Sequence, residues 1–130
     1  MAFDLPRFTQ DLVTRLQPWL PAGVRLLAGA DGVSLEGEEN AATIYVSDLF
    51  ARAPHDEAAV RAAHQILDAV QDFVSDQTGA PWPPIDGGPG AQLAVPTAEV
   101  RDGEVQLWYG DAWAPALALT PLRLDEYAGG

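Results

Sequence analysis

Cysteine is absent from the chain. Disulfides, zinc–thiolate sites and thiol catalysis are excluded with it. Lysine is absent as well: the 7 basic residues are all arginine, set against 19 acidic residues, for a formal net charge of −12. A phosphate backbone or an anionic membrane face repels such a chain, because binding there by counterion release needs clustered cations. The expectation is therefore no nucleic acid and no membrane among its partners. No stretch approaches the roughly 18 apolar residues that a membrane span needs. Histidine occurs only as His55 and His64, and serine only as Ser34, Ser47 and Ser75, none of them in a Gly-x-Ser-x-Gly turn. Nucleophilic catalysis has little to work with. Gly87-Gly88-Pro89-Gly90 is rich in glycine, but no Lys follows it and no helix opens after it, so it is not a phosphate-binding loop.

What is present is an ordinary apolar core. The chain has 130 residues, of which 48% are hydrophobic. A single domain is expected over 1–130. A chain of this length buries roughly 65–70% of the surface its unfolded form exposes, and so needs no metal to hold it together. Met1-Ala2-Phe3-Asp4-Leu5-Pro6 does not read as a signal peptide, and the expected location is the cytoplasm.

Apolar residues at Leu5, Phe8, Leu12, Leu16 and Trp19 recur at spacings of three and four, which predicts a helix from Leu5 to about Gln17 with Trp19 in the core. Asp4 is placed to cap it, Pro6 fits its first turn, and Pro18 and Pro21 end it. A three-stranded meander is expected next, over Val24–Ala28, Val33–Glu36 and Ala42–Val46. Asp31-Gly32, with Gly32 supplying a positive φ, and Glu38-Glu39-Asn40 form its turns. Ser47 to Arg52 reads as a short turn of helix. A long helix follows over 56–78. Val60, Ala63, Leu67, Val70 and Val74 form its seam, widened by Ala59, Ile66 and Phe73. Arg61, His64, Gln65, Asp68, Gln71, Asp72, Ser75 and Asp76 lie opposite, and Gly79 stands just past its end.

The stretch from Ala80 to Pro96 is too rich in proline and glycine for helix or central strand, and it reads as a loop. Ala98–Arg101 and Glu104–Tyr109 flank Asp102-Gly103, a strong hairpin signal, and Ala116–Leu119 forms a last strand. A flexible tail is expected at 128–130. The fold class is thus α+β, a two-layer sandwich in the order α-βββ-α-βββ, with the long helix packed on antiparallel strands. The two halves share a loose pattern, Asp31-Gly32-Val33-Ser34-Leu35 against Asp102-Gly103-Glu104-Val105-Gln106-Leu107. An ancient duplication explains it, and so does the common grammar of any two meanders.

Few residues promise chemistry. His64 and Asp68 stand four apart on one helix face, with Asp72 a turn further on, a spacing at which imidazole and carboxylates grip a divalent ion. A solvated face in an acidic chain produces the same spacing, and no cofactor is expected. Glu38 and Glu39, adjacent in a turn, read as exposed acids, and His55-Asp56-Glu57 reads as a helix start. The tryptophans are more informative. Trp82 lies between prolines and either pins the loop to the body or anchors a ligand. Trp108 alternates out of the row of Val105, Leu107 and Tyr109, so it belongs to the other face of its sheet. Aromatics on an open sheet face suit a binding surface. Trp82, Trp108, Tyr109 and Trp113 are therefore the candidate binding residues.

The element order of helix, three strands, helix and strands resembles that of the type III secretion chaperones and the related YbjN-like bacterial proteins. The segment Ile44-Tyr45-Val46-Ser47-Asp48-Leu49-Phe50 is also similar to a strand-then-Asn-Leu-Tyr segment of an uncharacterised bacterial family. The resemblance to the chaperones covers most of the chain in element order alone, and it departs at the end, where they close with a third helix and Ala116–Leu124 reads as extended. It implies a small, acidic, catalytically inert protein, usually a homodimer, that binds another protein. Three functions therefore stand as expectations: a chaperone-like adaptor for a protein partner, a small carboxylate- or metal-dependent enzyme, and an acidic inhibitor or immunity protein for a basic partner.

Overall fold

In the computed structural model, which describes residues 3–83 and 94–127, the first helix, α1, runs from Leu5 to Leu16. Asp4 caps it, its carboxylate accepting from the Arg7 amide at 3.2 Å, and Leu5, Phe8, Leu12 and Leu16 are buried as expected. A 3₁₀ turn over Gln17–Trp19 extends it past Pro18. That turn swings the ring of Trp19 away from the helix's apolar face. Trp19 is 56% exposed and is not the core residue its spacing predicts.

The first meander consists of β1 (Arg25–Ala28), β2 (Gly32–Glu36) and β3 (Ala41–Tyr45), in that order and antiparallel. Gly32 does not supply a positive φ. It lies within β2, where a Cβ would fall 1.8 Å from the Ile44 carbonyl oxygen, so only glycine fits. The short helix α2 (Ser47–Arg52) and the long α3 (His55–Thr78) follow. Gly79 ends α3 in the left-handed region at φ 68° and donates to the Ser75 carbonyl.

The second meander is β4 (Pro96–Arg101), β5 (Glu104–Asp111) and β6 (Ala114–Arg123). The Asp102-Gly103 turn has both residues at positive φ, 54° and 77°, the conformation that matches the twist of the paired strands. β6 is far longer than Ala116–Leu119. It holds Pro115 and Pro121 because β6 is an edge strand, where a missing N–H is tolerated. A short 3₁₀ turn over Leu124–Glu126 follows β6.

Among the described residues, six strands form two separate three-stranded sheets. α3, whose 24 residues make it about 36 Å long, separates β3 from β4 along the chain. Both helices touch both sheets: α1 packs on β1, β2 and β6, and α3 on β2, β3, β4 and β5. One continuous core joins Leu12, Leu35, Leu67, Leu107 and Leu122. The double packing widens the buried stripe of α3. Ala58 and Ala62 join it, Val60 and Phe73 are only part-buried, and Gln71 is buried. Gln71 therefore does not share the solvent face assigned to it; its amide donates to the Ala94 carbonyl, which satisfies it inside the core. The glycine-rich Gly87-Gly88-Pro89-Gly90 and the tail expected at 128–130 lie outside the described residues.

Candidate interaction surface

The alternation of β5 sorts the candidate residues. Val105, Leu107 and Tyr109 point into the core, while Gln106 and Trp108 lie on the opposite face, part-buried. Trp108 faces Thr97 of β4 on one side and Ala118 of β6 on the other. Its indole N–H donates to the Gly110 carbonyl of its own strand at 3.0 Å. That bond fixes the ring along the strand, flanked by small side chains. Ala116, Ala118 and Thr120 of the same face are exposed. Ala112 and Trp113 connect β5 to β6, and Trp113 is 85% exposed.

Trp82 and Tyr109 go inward instead. Trp82 is buried, and its ring meets Tyr109 edge-on at 5.3 Å between centroids. The Trp82 indole donates to the Trp19 carbonyl at 3.3 Å, and its amide donates to Ser75 Oγ. The buried ring and its two hydrogen bonds pin the chain onto the body, and the ring presents no surface. The Tyr109 hydroxyl donates to the Leu67 carbonyl at 2.6 Å. Burial pushes this phenol well above its ordinary pKa, and the nearby Asp68 charge pushes the same way. A phenol so held is a structural donor.

The candidate metal ligands are not gathered. His64 and Asp68 are exposed on α3, and among the described residues no group of three or more His, Asp and Glu is placed to hold a metal ion. His64 lines a shallow groove with Leu49, Val60 and Ala98. Trp19, read as core, is instead an exposed indole like Trp113, and it joins Trp82 through its own carbonyl.

One constellation was not legible as a unit. The Tyr127 hydroxyl donates to Asp11 at 2.6 Å, 116 positions away in sequence. Burial raises this phenol's pKa, and the hydrogen bond to Asp11 raises it further. Phe3, Phe8 and Tyr127 pack together, with Phe3 stacked on Phe50 at 4.6 Å. The Asp4 amide donates to the Tyr127 carbonyl at 2.7 Å. The pair fastens the two ends of the described chain together. Phe3 and Tyr127 each stand outside the periodic elements, so no sequence pattern joins them. In comparisons with protein-family models, curated proteins and solved structures, nothing matches this chain.

Proposed function

We propose that this chain is a non-catalytic protein-binding domain, a chaperone-like adaptor that meets its partner through the outer face of the β4–β5–β6 sheet. Trp113 carries the reading. An indole left 85% in water at a hairpin end does nothing for the chain's own core. Burying an aromatic side chain against a partner removes roughly 150–250 Å² from water. At about 25 cal/mol per Å² that is worth several kcal/mol, the scale of an interface anchor. Trp108 and its small neighbours supply a flat platform beside it.

The experiment is a pulldown from the native host with the parent chain, Trp113→Ala, Trp108→Ala and Arg52→Ala as a remote exposed control. The proposal predicts a discrete partner held by the parent and the control and lost by Trp113→Ala, with superimposable melting curves for those three. Retention of the same proteins by every variant contradicts it.

A further inference from the structure

Among the described residues, two sheets of three strands have four edges, and three of them have a neighbour alongside. At β1, the Gln17 amide donates to the Val24 carbonyl and accepts from the Leu26 amide. At β6, Arg15 donates to the carbonyls of Thr120 and Pro121. β4 lies along α3. β4 and β6 also carry prolines, a common guard of edge strands. β3, Ala41-Ala42-Thr43-Ile44-Tyr45, has no proline, charge or bulge, and among the described residues it pairs with β2 alone.

The direction of its unpaired groups follows from hydrogen-bond parity. The bonds from the Gly37 amide to the Asn40 carbonyl and from the Val46 amide to the Asp31 carbonyl mark bonded pairs at either end of the β2–β3 ladder. Bonded and non-bonded pairs alternate between antiparallel strands. Leu35–Ala42 and Val33–Ile44 are thus the bonded pairs, and Ala41, Thr43 and Tyr45 turn their N–H and C=O groups outward. Among the described residues, nothing bonds those groups. Beside this edge runs an open groove between sheet and helix. Leu35, Ala42 and Ile44 form one wall and Phe73 the other, with Asp72 and Asp76 among its lining.

We propose that β3 takes an extended, basic peptide segment of a partner protein as a fourth, antiparallel strand. The main chain of Ala41, Thr43 and Tyr45 holds the segment's backbone. Its side chains opposite Ala42 and Ile44 point into the groove, apolar ones against Phe73 and cationic ones towards Asp72 and Asp76. Charge selects this occupant over a second copy of the chain. Both aspartates are exposed carboxylates in a chain of net charge −12, and two copies would bring like charge together. The surface is separate from the aromatic face, so the outcome does not depend on Trp113.

The test uses a synthetic peptide, Arg-Thr-Val-Thr-Val-Thr-Arg, titrated into the isotope-labelled chain and followed by amide resonances. Its alternation puts valine and arginine on the groove side. Saturable binding is expected, with the amides of Ala41, Thr43 and Tyr45 becoming protected from exchange. N-methylation of the threonine amides, which face β3, abolishes binding, and N-methylation of the valine amides, which face away, leaves it. The same peptide with glutamate for arginine does not bind. Neutralising both carboxylates, Asp72→Asn with Asp76→Asn, weakens binding roughly tenfold, about 1.4 kcal/mol shared between two exposed ion pairs. Both side chains are exposed, so the fold is retained. Binding indifferent to the methylated position, equal binding of the glutamate peptide, or concentration-dependent protection of β3 in the free chain through self-association would each overturn the proposal.

Discussion

Arg15 and Gln17 stand two positions apart at the end of α1 and hold edges of different sheets. The Arg15 guanidinium donates to the Thr120 carbonyl at 2.8 Å and to the Pro121 carbonyl at 3.3 Å, both in β6. Gln17 accepts from the Leu26 amide at 2.8 Å and donates to the Val24 carbonyl at 3.2 Å, at β1. The sheets share no ladder, so this stretch and α3 fix their mutual placement. Arg15→Met should lower stability by about 1–3 kcal/mol, the range for hydrogen bonds to a charged group, and Gln17→Leu by about 1 kcal/mol. Amide exchange separates the two: the first variant should loosen β6 and the second β1. Uniform loosening in both would contradict separate clamps.

Trp82→Ala should destabilise by roughly 3–5 kcal/mol, since it removes a buried indole packed on Tyr109. Trp82→Phe should recover most of that and leave a deficit near 1 kcal/mol for the lost bond to the Trp19 carbonyl. Urea unfolding of the two variants measures both quantities.

Leu67→Ala should cost about 2–5 kcal/mol, because Leu67 is fully buried between two sheets and leaves a cavity. His64→Ala, one turn away and exposed, should change stability by no more than about 0.5 kcal/mol. Reversed magnitudes in urea melts would mean that the helix buries another face.

Alkali provides a test of the two interior phenols. Tyr109 and Tyr127 both have pKa values raised by burial above the ordinary tyrosine value of 10.0. Above pH 10 the unfolded chain releases these protons while the folded chain keeps them, so stability falls as pH rises. Below that value their contribution is fully present. Each tyrosine should add a slope of about 1.4 kcal/mol per pH unit above its unfolded pKa. Tyr127→Phe should reduce the alkaline slope by one proton's worth, and an unchanged slope would contradict the assignment.

Local grammar made part of this structure readable. The α3 seam follows helical spacing, and the Asp102-Gly103 turn follows from the φ angles a tight hairpin demands. The outward face of Trp108 follows from alternation with Val105 and Leu107. Other features depend on partners distant in sequence. Gln71 looks like a surface residue until a second sheet packs beside α3 and the Ala94 carbonyl meets it. Trp19 keeps the spacing of the apolar face, but the helix tightens into a 3₁₀ turn beneath it. Trp82 and Tyr109 make a pair that only the folded chain assembles. The edge of β3, unpaired among the described residues, stands out only once the neighbours of the other three edges are seen.

The outer face of the β4–β5–β6 sheet as a protein-binding surface is tested most directly by photocrosslinking in the native host. A photoreactive phenylalanine analogue placed at Trp113 should give a discrete crosslinked species containing one partner. The same analogue at Arg52, an exposed position on α2, should not. Indistinguishable crosslinks from the two positions, or none from position 113 in cells that express the chain at its native level, would contradict that assignment.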